Sequence, residues 1–352
     1  MITFISAAIV LSILILVHEF GHFIVAKKSG VRVEKFSLGF GKEIFGWTKG
    51  ETRYSFSLLP FGGYIKMAGE NPQESKNQPD EFLSQPIRKR FWIISAGAVF
   101  NYLFGFLLLF FIFMLGSPQL TSQVGEIKAG FPAENILQKG DRIISINTKK
   151  LSSWEEMAKI IHQSKGQLEM IVQREGEQFK TVIFPKIEET KNIFGQTKKI
   201  NLIGILPSGE TTRVSYNPFV SFYLAGRKTI ELTMLTYAGL WKMFSRQVSW
   251  RALTGPVGVV YLTGKMAKMG IIHLLQFMAI LTISLGLFNL LPMPVLDGGH
   301  LIFLGLEKIR KKPISEKTQG IIQNIGVAFL IILFIAILCS DFNKIALWKV
   351  MP

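Results

Sequence analysis

The chain has 352 residues, 49% of them hydrophobic, and its mean hydropathy of +0.33 is too high for an ordinary soluble protein and predicts a polytopic membrane protein. Its formal net charge is +16, but the lysines and arginines are scattered, which indicates membrane topology and contact with anionic lipid and excludes a nucleic-acid-binding stripe. The single cysteine, Cys339, excludes an intrachain disulfide and a cysteine-based zinc site.

The first apolar run, Ile2–Ala26, contains residues with the spacing of a metal site. His18 and His22 are four positions apart and therefore share a helix face, while Glu19 is placed to act as a base on a water molecule. Glu19 is the only charged residue of this run. An ionisable group in a bilayer is costly, so it indicates a functional site. The run lacks a cationic start and a cleavage site, so we expect a retained membrane helix and not a signal peptide.

Residues 29–90 are of mixed composition and predict a small hairpin or sheet. Tyr54–Leu58 alternates with the period of a strand. Pro60–Gly63 is expected to turn the hairpin, and the polar stretch 71–80 is expected to be a loop.

The second apolar run, Phe91–Gly116, follows the basic cluster Arg88–Arg90. Its small residues at Ser95–Ala98 would let another helix approach closely. We expect a second membrane span here.

Residues 117–186 predict a water-exposed α+β module. Gly140–Asn147 is typical of a turn followed by a strand. Ser153–Glu156 offers a capping box for a helix that ends near His162. Leu168–Gln173 and Gln178–Phe184 are expected to form two further strands.

The remaining chain predicts two more spans. In residues 187–270, Lys199–Leu206 is typical of a strand, and Pro218 to about Val248 of an amphipathic helix on the outer membrane surface. The third run is about 271–291, and the fourth is about 320–339.

A topology argument predicts a third metal ligand. If four spans alternate, the basic clusters lie on one side, which the positive-inside rule makes cytoplasmic. His18 then lies roughly 24 Å into the first span, toward the cytoplasmic leaflet. The third span ends at a similar depth and is followed by Asp297, the only acidic residue between Glu231 and Glu307. We therefore expect Asp297 to join His18 and His22.

Two motifs together resemble a known family. These are His18–His22 and the segment Asn289–Gly298, which reads Asn-Leu-Leu-Pro-Met-Pro-Val-Leu-Asp-Gly. The chain resembles the site-2 protease family (peptidase M50), and most closely its bacterial RseP-like group of regulator-of-sigma-E intramembrane zinc metalloproteases. The resemblance runs nearly end to end and includes Leu59–Tyr64 and Gly255–Gly258. Residues 117–186 resemble a single PDZ domain, whereas the best-known Gram-negative members carry two.

The resemblance implies roles for individual residues. His18, His22 and Asp297 would bind Zn²⁺, and Glu19 would be the catalytic base and then the acid. Asn289 matches a position that holds the substrate strand. His300 is either a further ligand or, as we favour, a residue beside the ligands or at the membrane interface.

The resemblance also implies a substrate and a location. The β-region at 51–66 is expected to receive an unwound substrate, with the strand edge formed by Tyr54, Phe56 and Leu58 as the receiving surface. The substrates would be leftover signal peptides and single-pass membrane proteins already shortened by another protease, such as anti-sigma factors. The other partners would be the lipid bilayer and, at the PDZ domain, peptide C-termini. No nucleic-acid partner is expected. The protein would lie in the bacterial inner membrane.

The expected fold is a polytopic α-helical membrane protein with an inserted extracytoplasmic PDZ domain. Its parts would be residues 1–116 (first two spans and the β-region), 117–186 (PDZ domain), 187–270 (strand and surface helix) and 271–352 (last two spans). Two other functions compete with proteolysis. A silent peptide-binding scaffold would have no use for Glu19, and a metal transporter would show repeated halves, each with a site.

Overall fold

The computed structural model describes residues 2–191, 197–249 and 253–350, so the predicted segment 187–270 contains residues 192–196 and 250–252, which lie outside the described part. The chain forms two compact units. The helical unit comprises Met1–Ile112, Phe219–Trp241 and Ser249–Pro352, and the α+β unit comprises Phe113–Pro218 and Lys242–Val248.

The described elements are eight helices and twelve strands. The helices are α1 (Ile2–Lys28), α2 (Ile87–Leu115), α3 (Trp154–Gln163), α4 (Pro218–Phe244), α5 (Pro256–Met269), α6 (Ile271–Asn289), α7 (Asp297–Arg310) and α8 (Glu316–Val350). The strands are β1 (Val33–Lys49), β2 (Thr52–Met67), β3 (Ser117–Leu120), β4 (Val124–Ile127), β5 (Arg142–Ile146), β6 (Lys149–Lys150), β7 (Leu168–Arg174), β8 (Glu177–Ile183), β9 (Lys186–Lys191), β10 (Thr197–Leu202), β11 (Ile205–Pro207) and β12 (Thr211–Val214).

Four of the described helices are long and apolar enough to cross a membrane. They are Ile2–Lys28, Ile87–Leu115, Ile271–Asn289 and Glu316–Phe342, and each overlaps one of the four predicted spans. A helix satisfies its backbone hydrogen bonds within its own segment, which is the condition for crossing lipid.

Small residues bring α1, α2 and α6 into close contact. A Cβ atom added at Gly21 of α1 would lie 2.5 Å from the carbonyl oxygen of Ala96 in α2. One added at Gly105 of α2 would lie 2.5 Å from Cγ1 of Ile283 in α6. Neither position has room for a side chain, so the expected close approach to the second span is confirmed.

The β-region is a hairpin whose turn differs from the prediction. The turn lies at Gly50–Glu51, and the predicted turn Pro60–Gly63 lies inside β2. Lys35–Leu38 of β1 pairs with both Arg53–Phe56 and Gly63–Lys66. The first part of β1 is therefore enclosed on both sides.

The predicted free strand edge at Tyr54–Leu58 is wrong at Tyr54 and Phe56. Tyr54 pairs with both Phe36 and Trp47, and Phe56 pairs with both Leu38 and Phe45. Alternation in a sequence indicates a strand and its two faces, but it carries no information about which strands lie beside it.

The α+β unit contains a four-stranded sheet in the order β6-β5-β7-β8 together with α3. As predicted, β5 follows a turn at Gly140, and β7 and β8 meet at Glu175–Gly176, where both residues have positive φ. Its core consists of fully buried aliphatic side chains, among them Ile143, Ile146, Met157, Leu168 and Val172.

The cap of α3 forms only in part as predicted. Ser153 is the N-cap, and its hydroxyl accepts a hydrogen bond from the backbone N–H of Glu156 at 3.3 Å. The Glu156 carboxylate accepts from the N–H of Ser152 at 3.1 Å, one residue earlier than a capping box requires.

Three features were not predicted as the structure has them. The predicted strand at 199–206 is interrupted at Gly204, where φ is +86° and a Cβ atom would lie 2.1 Å from that of Phe131. The helices α5 and α7 were missed because both are short and rich in glycine. A Cβ atom at Gly264 of α5 would lie 2.3 Å from Cγ2 of Thr3, so α5 packs directly on α1.

Candidate metal centre

Helix α1 presents two imidazole rings at one point. His18 and His22 are 9% and 8% exposed, and their rings meet edge to face with centroids 4.8 Å apart. Their Nε2 atoms are 3.2 Å apart. The one-turn spacing read from the sequence therefore brings both ring nitrogens to the same place.

The connection after α6 brings Asp297 to the same point. Helix α6 ends at Asn289, the chain passes through Pro292 and Pro294, and α7 begins at Asp297. The chain folds back so tightly that a Cβ atom at Gly298 would lie 2.1 Å from the carbonyl oxygen of Leu291. Glycine is needed there because the backbone of the loop occupies the space of a side chain.

The three side chains form a compact ligand set. Asp297 Oδ2 is 3.3 Å from His18 Nε2 and 3.6 Å from His22 Nε2. The set is the one group of three or more His, Cys, Asp or Glu ligands found in the described part of the chain, and its ligand atoms lie within 4.8 Å of one another.

The set has the dimensions that a tetrahedral metal requires. Tetrahedral ligands about 2.0–2.1 Å from zinc lie roughly 3.3–3.4 Å from each other. The observed separations of 3.2, 3.3 and 3.6 Å match that value. Asp297 Oδ2 is buried and has no hydrogen-bond partner among the described residues. Such an atom needs a cation, and these residues therefore fit a zinc ion.

Helix α2 closes the site on one side. A Cβ atom at Gly97 would lie 2.4 Å from His22 Nε2 and 2.5 Å from His18 Cε1, so the rings pack on bare backbone. His22 Nδ1 is 2.7 Å from the carbonyl oxygen of Ile93, to which it donates a hydrogen bond. That bond leaves His22 Nε2 without a proton and free to bind a metal.

Two asparagines contact His18. The side-chain amide nitrogen of Asn101, in α2, is 3.2 Å from His18 Nδ1. That of Asn289, at the end of α6, is 3.2 Å from Nδ1 and 3.4 Å from Nε2. The structure thus places Asn289 beside the candidate ligands, and it also brings in Asn101, which the sequence does not single out.

A cavity of about 1090 Å³ opens from the ligand set. Glu19, His18, His22 and Asp297 all line it, so the proposed base and the ligands face one space. His300 lines it as well, next to the ligands. A water molecule and an extended peptide both fit a space of this size.

The β-region contributes a different segment from the predicted one. Tyr64, Ile65 and Met67 of β2 line the cavity, whereas Tyr54, Phe56 and Leu58 are absent from its described lining. A Cβ atom at Gly63 would lie 3.5 Å from Cγ of Glu19. The Gly62–Gly63 pair was the available signal, because glycine inside a strand often marks a close approach of another group.

A buried ion pair in the cavity wall was also missed. The Arg90 guanidinium donates two hydrogen bonds to the Glu307 carboxylate, one of them at 3.0 Å. Both residues line the cavity, and they join the start of α2 to α7, the helix that carries Asp297. In the sequence the basic cluster indicates only membrane topology, and no local pattern pairs residues so far apart.

Comparison with known proteins gives consistent matches. The model of peptidase family M50 matches residues 6–333. A Campylobacter jejuni protein described as a candidate zinc metalloprotease is 34% identical, over 98% of this chain and 94% of its own. The regulator of sigma-E protease RseP of Escherichia coli is 28% identical, over 97% of this chain and 98% of its own. The zinc metalloprotease RasP of Oceanobacillus iheyensis is also 28% identical, over 99% of this chain and 100% of its own.

Among solved structures, the PDZ domain of the SdrC-like protein of Listeria innocua matches with 23% identity and a TM-score of 0.21, over 26% of this chain and 96% of that one. The family model covers nearly the whole length of the chain, from the first apolar helix into the last. The chain belongs to peptidase family M50.

Proposed function

We propose that this chain is an intramembrane zinc metalloprotease that hydrolyses peptide bonds within or near the transmembrane segments of single-span membrane proteins. The observation that carries the proposal is the meeting of His18, His22 and Asp297 at 3.2–3.6 Å, with the histidines on one candidate membrane span and Asp297 just past the end of another. The relatives named zinc metalloproteases support the choice of metal.

The chemistry follows from the residues that line the cavity. A bound zinc ion would supply a Lewis acid that acidifies water and polarises a carbonyl group. His18, His22 and Asp297 hold it. Glu19 lines the same cavity, accepts the proton of the attacking water, and returns a proton to the leaving amide nitrogen.

The substrate must lose its helical structure before it reacts, because helical carbonyls are occupied by backbone hydrogen bonds. Irregular backbone at membrane depth is tolerated only where protein or a wet cavity receives it. We assign that role to Tyr64, Ile65 and Met67 of β2, which line the cavity, together with Asn289. Helix-weakening residues near the cut should favour cleavage.

The orientation follows from the positive-inside rule. The basic residues cluster at the end of α1, at the start of α2 and after α7, which supports a cytoplasmic position for these three places. The α+β unit then faces the other side of a bacterial inner membrane. The sheet with α3 agrees with a PDZ domain that accepts peptide C-termini. Anti-sigma factors and remnant signal peptides are the substrate classes we infer.

The test is cleavage of a purified single-span substrate in detergent by wild type and by Glu19→Gln. We expect chelator to abolish cleavage and added zinc to restore it. Glu19→Gln keeps the shape of the side chain but removes the base, so its rate should fall roughly 10²–10⁴-fold. The variant should still bind one zinc ion, since Glu19 is not a proposed ligand.

Three results would contradict the proposal. Cleavage that survives complete removal of metal would exclude a zinc mechanism. Full activity of the Gln variant would exclude Glu19 as the base. Zinc binding without any cleavage by wild type, tested on several single-span substrates, would favour a scaffold or a transporter instead.

A further inference from the structure

The two histidine ligands differ in how their second ring nitrogen is held. A histidine that binds a metal through Nε2 carries its proton on Nδ1, and that proton needs an acceptor. For His22 the acceptor is the carbonyl oxygen of Ile93 at 2.7 Å. For His18 the groups within hydrogen-bonding distance of Nδ1 are the amides of Asn101 and Asn289.

Asn289 is in the wrong place to accept this proton. Its amide nitrogen is almost equally far from both ring nitrogens of His18, at 3.2 and 3.4 Å. A partner in the ring plane of Nδ1 would lie about 5 Å from Nε2, because the two nitrogens point away from each other. The Asn289 amide therefore lies over the ring face and remains available to a substrate.

Asn101 has the required position and an unused acceptor. It is fully buried, and it contacts His18 through Nδ1. In the present orientation its amide nitrogen faces the ring, and its buried Oδ1 has no hydrogen-bond partner among the described residues. A half-turn of the amide exchanges the two atoms and brings Oδ1 to Nδ1 without moving the rest of the side chain.

We infer that Asn101 is a positioning residue whose side-chain oxygen accepts the Nδ1–H of His18 and so directs Nε2 of that ring to the metal. The inference rests on the proposed function, since it requires a metal at the site. The backbone of Asn101 makes a separate hydrogen bond, in which the Thr282 hydroxyl donates to the Asn101 carbonyl oxygen at 3.2 Å. That bond involves only the backbone of Asn101, so it can be removed without changing the side-chain contact with His18.

The test compares zinc affinity, measured by competition with a chelator in detergent, in wild type and in Asn101→Leu, Asn101→Asp and Thr282→Val. Leucine has nearly the size of asparagine but no acceptor, so we expect a loss of roughly 10–100-fold in zinc affinity. Aspartate keeps the acceptor and should restore affinity. Thr282→Val removes a neighbouring buried hydrogen bond without touching His18, so its affinity should equal that of wild type.

A second readout separates positioning from packing. With Co²⁺ in place of zinc, the visible absorption bands of Asn101→Leu should shift, while those of Thr282→Val should match wild type. Equal zinc affinities for wild type and Asn101→Leu would overturn the inference, and so would equal losses in the Leu and Asp variants. A wild type that binds no zinc would instead contradict the proposed function.

Discussion

At the scale of single residues, the site depends as much on absent side chains as on ligands. Gly97 leaves room for both imidazoles, and Gly298 lets the loop before α7 fold back on itself. Each of these glycines lies against another group at close range: the imidazole rings in one case and a carbonyl oxygen in the other. The ligand geometry is therefore enforced by backbone contact.

We predict that Gly97→Ala lowers zinc affinity at least roughly 10-fold, which is the lower end of the effect expected for residues that orient ligands. The added methyl group would lie 2.4 Å from His22 Nε2 and 2.5 Å from His18 Cε1, so both rings must move. The matched control is Gly305→Ala in α7, where an added Cβ meets nothing within 4 Å. Chelator competition measures both variants; unchanged affinity in Gly97→Ala would show that the rings can retreat without cost.

At the scale of elements, ion pairs with low exposure hold segments that are distant in the chain. In the helical unit Arg90 and Glu307 join α2 to α7. In the α+β unit the Arg174 guanidinium donates to both oxygens of Asp141 at 2.8 Å, and the backbone N–H of Gln138 donates to the same carboxylate at 2.8 Å. The second arrangement joins β7 to the turn that precedes β5.

The stability of the α+β unit should depend on the charge of Asp141. Burial alone would raise the pKa of Asp141, but the hydrogen bonds from Arg174 and Gln138 outweigh it and hold the pKa below its ordinary value. A depressed pKa means that the folded state binds this proton less tightly than the unfolded chain does. The stabilisation is therefore present at neutral pH and is lost as the pH falls below about 4, the ordinary pKa of an aspartate.

We predict that Asp141→Asn lowers the free energy of unfolding of this unit by roughly 1.5–3 kcal/mol at pH 7, the usual worth of hydrogen bonds to a charged group. Hydrogen exchange of the β5 and β7 amides in the whole protein measures the loss. The difference in exchange protection between Asp141→Asn and wild type should shrink below about pH 4. As a control, Glu189→Gln removes the exposed pair with Lys199 and should change little. A difference that persists undiminished at low pH would contradict the charge dependence.

At the scale of the whole molecule, the proposal requires a defined orientation in the membrane. Four helices are suited to span it, and the basic clusters beside them indicate which ends face the cytoplasm. The metal ligands would then lie near the cytoplasmic face, at the level where α1 and α6 end. The α+β unit would lie in the opposite compartment.

Cysteine labelling tests this orientation. In a Cys339→Ser background, we predict that a membrane-impermeant maleimide labels Glu177→Cys, exposed at the start of β8, once the outer envelope is opened. Lys312→Cys, exposed between α7 and α8, should be labelled only after the inner membrane is permeabilised. Labelling of both cysteines from the same side would rule out the proposed topology. Labelling of Lys312→Cys from outside, with Glu177→Cys labelled only after the inner membrane is permeabilised, would rule out the orientation.

The sequence by itself determined the features that depend on local periodicity and composition. The four apolar helices, the elements β5, α3, β7 and β8 of the α+β unit, and the spacing of His18 and His22 all follow from patterns a few residues long. Asp297 could be added because two spans entering from one side reach similar depths. Its meeting with the histidines at 3.3 and 3.6 Å agrees with that argument.

Only the tertiary structure decided which side chains surround the site. Asn101 and Gly97 read as ordinary packing residues of α2, and the contact of Asn101 with His18 spans 83 positions. Tyr54 is paired on both sides, and Tyr64, Ile65 and Met67 line the cavity instead, because β1 pairs with two separate stretches of β2. Such contacts are set by the relative placement of elements, which short-range patterns do not encode, because a helix face or strand face can be satisfied by many partners.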